Sequence, residues 1–318
     1  MPDIKIIENT SEIAAGTRGA SLGVAALKVA SLKSDNDYFG RFERFRIETE
    51  NDVLFEPTIY RTAKRIDALV NVYQNVADIV SFVLTNGDFP IVLAGDHASA
   101  GGTIAGIKKA FPSKRLGVIW IDAHADLHTP YTTPSGNLHG MPLATAFNED
   151  NLVDQINEPL AETIEFWGKL KIMGGVAPKI KHEDLVFIGL RDMEKPEEKY
   201  IERNNITVYT VDDVHQKGPA TIASLIKDKL SACDLIYVSF DVDSMDPDIV
   251  SRGTGTPAAN GLKPEEASAL LDTFASWEKT CCMEIVEINP CLDDKINMMA
   301  ETAFDILESF TQSIEKRI

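Results

Sequence analysis

Residues 116 to 142 read LGVIWIDAHADLHTPYTTPSGNLHGMP. The stretch opens on Leu116 to Ile121, a run without the polar alternation of a half-exposed strand. Unbroken apolarity is what a parallel strand covered on both faces requires. The run stops at Asp122-Ala123-His124-Ala125-Asp126, so ligand-type side chains begin where the apolar ones end. If the backbone is still extended there, alternate residues point the same way, and Asp122, His124 and Asp126 converge on one side.

Similar apolar runs lie on either side of this one. They are IKII from Ile4, IVLA from Ile91, LVFIG from Leu185, ITVYTV from Ile206, LIYVSF from Leu235 and CCMEIVEI from Cys281. Helical spacing lies between them, as where Ile66, Leu69, Val70, Val76, Ile79, Val80 and Val83 share a face within residues 60 to 85. Residues 219–231, 264–276 and 295–314 also read as helices. The third of these four starts at Lys263-Pro264-Glu265-Glu266, with proline in the first turn and acids at the positive dipole end. Strands alternating with helices predict one α/β domain over residues 1–318, a parallel sheet with helices on both faces. Residues 30–58 and 145–180 read as irregular excursions or long loops, and no composition break marks a second domain.

Composition narrows the partners. The 318 residues are 44% apolar and 25% charged, ordinary for a soluble globular protein. With 49 acidic against 31 basic residues, the formal charge of −18 disfavours nucleic acid and anionic membranes. The N-terminal MPDIKIIENTSEIAAG lacks a secretory pattern, and no uninterrupted apolar run reaches the ~18 residues of a membrane span. Cys233, Cys281, Cys282 and Cys291 show no CxxC spacing, so free thiols in a reducing cytoplasm are expected. His182 and His215 lie in polar contexts and are expected to be exposed.

In open α/β sheets ligands bind beyond the carboxyl ends of the strands. There the sequence places Gly95-Asp96-His97 after IVLA, the Asp122 to Asp126 motif, Asp241-Val242-Asp243 after LIYVSF, and Glu287 near the end of the last run. Any one of these acids is equally well read as a cap or turn residue. Six ligand-type residues in three motifs are not. Clustered carboxylates at the end of an apolar strand are costly unless cations compensate them. Two divalent ions would cancel four aspartates, with His97 and His124 adding neutral nitrogen donors. A carboxylate-rich set without cysteine suits Mn²⁺ over structural zinc, with Co²⁺, Fe²⁺, Ni²⁺ or Zn²⁺ also compatible. Paired metals activate water, so hydrolysis is the natural chemistry.

The ordered blocks GDHASAGGT, DAHADLHTPYTTPSGNLHGMP, IGLRD, SFDVDSMDP and EIVEINP resemble the signatures of the ureohydrolases, and the long second block is similar to that of arginases. The resemblance spans roughly residues 90 to 310. It implies an arginase-like fold with a central parallel sheet of eight strands and two Mn²⁺ ions. The implied metal ligands are His97, Asp122, His124, Asp126, Asp241 and Asp243, with Asp122 and Asp243 plus Asp126 or Asp241 bridging. His139 matches a proton-shuttling histidine, Glu287 the carboxylate that pairs with a guanidinium, and Thr256 a nearby hydroxyl. The implied reaction is attack of a metal-bridging hydroxide on the guanidino carbon of L-arginine, giving urea and L-ornithine. Asp126 would pass a proton to the leaving amine. A homo-oligomer, trimer or hexamer, is implied as well.

Ser135 and Asn137 match the segment that recognises the amino-acid head group. Two other positions depart from the arginase pattern: His128 stands in place of an asparagine, and Glu194 in place of an aspartate. They are expected to contact the α-carboxylate and the α-ammonium. The alternatives are another ureohydrolase (agmatinase, guanidinobutyrase or formiminoglutamase type) and a catalytically silent metal-binding protein of the same fold. A deacetylase of related fold would use one metal, which the joint presence of His97 and Asp126 disfavours.

Overall fold

The computed structural model describes residues 2–318. All seven apolar runs form strands, named here with an eighth in chain order: β1 (Ile4–Asn9), β2 (Glu43–Arg46), β3 (Phe89–Ala94), β4 (Leu116–Ile121), β5 (Leu185–Ile188), β6 (Thr207–Tyr209), β7 (Leu235–Asp241) and β8 (Thr280–Val286). They build one sheet in the order β2-β1-β3-β8-β7-β4-β5-β6, and every pairing is parallel. Every residue of β3 and β4 is buried, which is why those segments carry no polar alternation.

Two cores flank the sheet. Val92, Trp120, Phe187 and Tyr237 face one, and Ile91, Ile119, Ile188 and Phe240 face the other. The first is closed by the helices Ile66–Thr85 and Ser99–Ala110, the second by Gly23–Lys33, Pro264–Ala275 and Met298–Glu315. Helix Ile66–Thr85 is long and apolar enough by composition to cross a bilayer. Here its Leu69, Val72, Val76 and Val80 stripe is buried in the first core.

Both segments expected to be irregular contain regular structure. Within residues 30–58 lies β2, an edge strand bonded only to β1. It is held through the buried Glu8, whose carboxylate meets Lys28 at 2.7 Å, Arg46 at 3.4 Å and Arg44 at 3.5 Å. Within 145–180, helix Ala161–Ile172 buries Trp167 and Leu170 against the first core. His182 is also not free in solvent: its ring stacks on Phe147 at 4.4 Å and bonds the Tyr200 hydroxyl at 2.7 Å. His215 is exposed, on helix Val211–Lys217, with Glu266 at 3.0 Å.

Candidate active site

The four central strands β3, β8, β7 and β4 are contiguous in the sheet, and the chain leaving each of them turns toward one point. After β3 the chain passes Asp96, whose oxygens accept from the Ala14 and Ala98 amides. It then delivers His97, whose ring lies flat on Trp120 at 4.1 Å and whose Nε2 meets Ser239 Oγ at 2.7 Å. That leaves Nδ1 facing Asp122 Oδ2 and Asp126 Oδ2 at 3.0 Å each and Asp241 Oδ2 at 3.2 Å.

A second nest adjoins the first. His124 Nδ1 lies 3.0 Å from Asp243 Oδ2 and 3.5 Å from Asp122 Oδ1. Asp122 therefore turns one oxygen to each nest, and it is held there by donors from Trp120 Nε1 (2.9 Å) and the His124 amide (2.7 Å). Asp243 accepts from the Ala123 amide at 3.2 Å and from Thr256 Oγ1 at 3.2 Å. Asp126 adopts a left-handed φ of 51°, a conformation that aspartate tolerates better than most side chains and that turns the chain out of the strand direction.

Four buried carboxylates cannot all ionise together without compensation. Burial pushes Asp126, Asp241 and Asp243 above the usual carboxylate range, and the charge of Asp122 adds to it. Burial acts on Asp122 too, but the adjacent His124 and His97 imidazoles hold it low. Both imidazoles are lifted despite burial because carboxylates surround them. His97 Nδ1 is wholly buried and makes no well-aligned hydrogen bond, although three carboxylate oxygens crowd it. Oxygens gathered around a point and not along an N–H axis suit a divalent cation, and so does the donor set of oxygen and imidazole. His97, Asp122 and Asp126 form one such ligand group, and Asp122, His124 and Asp243 another.

Above the nests lies a cavity of about 380 Å³ with His97, His124, Asp126 and Asp241 on its floor. Ser135 and Asn137 stand on its rim, joined by the Asn137 amide donating to Ser135 Oγ at 3.1 Å. Asn137 Oδ1 in turn accepts from Lys64 Nζ at 3.0 Å. Gly136 between them has φ +75°, and a Cβ there would stand 2.0 Å from the Arg61 carbonyl oxygen. His139 lines the wall, its Nδ1 3.0 Å from Glu287 Oε1. Burial pulls His139 down, but the Glu287 carboxylate carries it up to about 9. Glu287 itself lies behind His139; Oε1 also accepts the His97 amide, while the buried Oε2 has no partner.

His128 and Glu194 both line the cavity, yet they bond one another. His128 Nε2 meets Glu194 Oε2 at 3.0 Å and Glu197 Oε2 at 3.4 Å, while Nδ1 faces Thr132 Oγ1 at 3.2 Å. The histidine holds Glu194 down at about 2, and burial pushes Glu197 up to about 7. Sequence reading had left Glu197 and Asp192 out of the site. Glu197 sits three residues after Glu194, a spacing that marks a helix start, and it does accept the Glu194 amide at 3.2 Å. Nothing in that spacing shows that the side chain is buried against the cavity. Asp192, also on the cavity wall, lies 3.7 Å from His124 Nε2.

A parallel α/β sheet with paired carboxylate–imidazole nests at the carboxyl ends of its central strands defines a metallohydrolase-type protein. The sequence pattern of the arginase family matches residues 3–312. The arginase of Brevibacillus brevis is 33% identical over 312 residues, covering 96% of this chain and 97% of that one. The solved structure of Bacillus caldovelox arginase superposes with a TM-score of 0.81 at 31% identity, covering 98% of each chain. An Entamoeba histolytica arginase solved in complex with L-ornithine gives a TM-score of 0.81 at 25% identity over 99% of each. The chain belongs to the arginase family. It is a hydrolase acting on carbon–nitrogen bonds of linear amidines.

Proposed function

We propose that the chain hydrolyses L-arginine to urea and L-ornithine with two Mn²⁺ ions. His97, Asp122, Asp126 and Asp241 would hold one ion, and Asp122, His124 and Asp243, with Asp126 or Asp241 shared, the other. The observation that carries the reading is Asp122, which offers one oxygen to each nest beneath a cavity rimmed by Ser135 and Asn137. Bound there, the metals supply a polarised water, nucleophilic near neutral pH.

The chain's own groups then handle charge and protons. Glu287 Oε2, lacking a partner, is the acceptor for a guanidinium N–H, and Thr256 Oγ1 lies beside Asp243 as a further polar contact. Asp126 on the cavity floor takes up a proton and passes it to the departing amine. His139 is a cation near neutral pH and partly open to solvent, so it can exchange protons between the cavity and bulk water. Ser135 and Asn137 meet the α-carboxylate. His128, Glu194 and Glu197 also line the cavity, where Glu194 meets the α-ammonium and His128 joins in holding the carboxylate once their mutual bond opens. The four cysteines, all unpaired thiols, accord with a cytoplasmic protein, and a homo-oligomer completes the proposal.

Urea release over a panel of guanidino compounds with added Mn²⁺ tests the substrate. L-Arginine should lead, and agmatine, which lacks the α-carboxylate, should be poor. Equal kcat/KM for the two would remove L-arginine as the substrate and leave the carbon–nitrogen chemistry standing.

A further inference from the structure

We propose that Glu284 is a positioning residue for the metal-facing nitrogen of His97, acting through Tyr237 and Ser239. The inference rests on the reading of His97 as a metal ligand. Glu284 lies in the middle of β8, directly beside Ser239 of β7 in the sheet register. Its carboxylate is fully buried in an otherwise apolar layer, with Ser99 and Thr103 of the overlying helix as polar neighbours. Oε2 accepts from the Tyr237 hydroxyl at 2.7 Å, while Oε1 has no well-formed partner. Burial pushes Glu284 upward, opposed by the hydroxyls of Ser99, Thr103 and Tyr237. A carboxylate placed so is expensive to keep.

A directional relay of polar side chains, two hydrogen bonds flanking the neighbours Ser239 and Tyr237, accounts for it. For His97 to present a lone pair at Nδ1 to a metal, its ring proton must sit on Nε2, which meets Ser239 Oγ at 2.7 Å. Ser239 must then point its own hydroxyl proton away from the imidazole. Tyr237 and Ser239 stand two residues apart on the same face of β7, and Tyr237 gives its own proton to Glu284. Tyr237 gives its proton to Oε2, so Glu284 ends the relay as an acceptor, and in its ionised form it fixes the direction of every bond back to the imidazole. Partners behind a metal-bound histidine set its tautomer and basicity and change metal affinity by about 10–100-fold. The competing role is structural, a polar tie between β8 and helix Ser99–Ala110.

Mn²⁺ titration monitored by electron paramagnetic resonance, together with thermal unfolding of the metal-free protein, separates the two roles. Tyr237→Phe and Glu284→Gln should each weaken one of the two Mn²⁺ sites by about 10–100-fold while leaving the metal-free melting temperature near wild type. Glu284→Leu should raise that temperature while lowering Mn²⁺ affinity, two effects of opposite sign that a structural tie cannot produce. Should Glu284→Leu fail to fold, Tyr237→Phe, which removes a single oxygen, carries the test. Unchanged Mn²⁺ affinity in Tyr237→Phe and Glu284→Gln, with wild type binding two ions, overturns this role alone. A wild-type chain that takes up no metal overturns it together with the reading of His97.

Discussion

Replacing Glu287 by glutamine removes the charge on which the protonation of His139 depends and keeps the side chain's size. In the wild-type protein the carboxylate outweighs burial and carries His139 from an ordinary 6.5 up to about 9. The rise from 6.5 to about 9 corresponds to roughly 3 kcal/mol favouring the protonated form. The side chain is 19% exposed, so solvent screens the pair little. A folded pKa raised above the unfolded one gives stability that is complete below pH ~6.5 and lost as pH climbs through about 9. In Glu287→Gln the burial penalty is opposed only by the Asp126 and Asp96 charges, and His139 should titrate well below 9. Two measurements on metal-free protein check this: the histidine NMR titration, and urea unfolding at pH 6 and pH 9.5. Wild type should lose roughly 3 kcal/mol more stability between those pH values than the variant does. Asp96, raised to about 7 by burial and by the Glu287 charge, shifts in the variant as well, so the histidine titration is the reading that isolates this pair. A His139 that still titrates near 9 in the variant refutes the reasoning.

His97→Ala and Asp241→Ala should lose bound metal and activity together, since each strips a donor from the first nest; elemental analysis of the purified variants reads this directly. His139→Ala should keep its metals and drop kcat by about 10–1000-fold, with partial recovery in added imidazole; an unchanged kcat would assign the ring to packing. Gly136→Ala must move either its own loop or Arg61, because the new Cβ meets a carbonyl oxygen at a φ that disfavours side chains. The displaced Ser135 and Asn137 should raise KM for L-arginine more than they lower kcat, as steady-state kinetics will show.

The parts of the fold that could be read from sequence are those where one chemical need repeats. Strands buried on both faces must be apolar throughout, and all seven such runs were strands. Edge strand β2 reads Glu-Arg-Phe-Arg because it is half solvated and anchored by ion pairs to Glu8, so no apolar pattern marks it. Helix Ser99–Ala110 escaped for the opposite reason. Gly101 and Gly106 let it approach helix Ile66–Thr85 so closely that a Cβ would meet Tyr73 at 2.2 Å or the Ala77 carbonyl at 2.8 Å. A helix that packs by lacking side chains shows no stripe. In the site, the period-two spacing of Asp122, His124 and Asp126 and of Asp241 and Asp243 marked the nests, because strand geometry is local. Glu197 was hidden because its burial depends on where helix Lys195–Arg203 docks, and the His128–Glu194 bond because it spans 66 residues.

The placement of β8 has a consequence for how the chain comes to exist. It lies between β3 and β7, yet it is the last strand in the chain and therefore the last to leave the ribosome. Until residues 280–286 emerge, the nascent sheet is two separate pieces, β2-β1-β3 on one side and β7-β4-β5-β6 on the other. His97 follows the first piece, whereas Asp122, Asp126, Asp241 and Asp243 follow the second. No partial product can assemble the His97 nest, so a metal would be captured at that nest only after the chain has closed. A metal ion held there would report a finished molecule and not a step on the way to one.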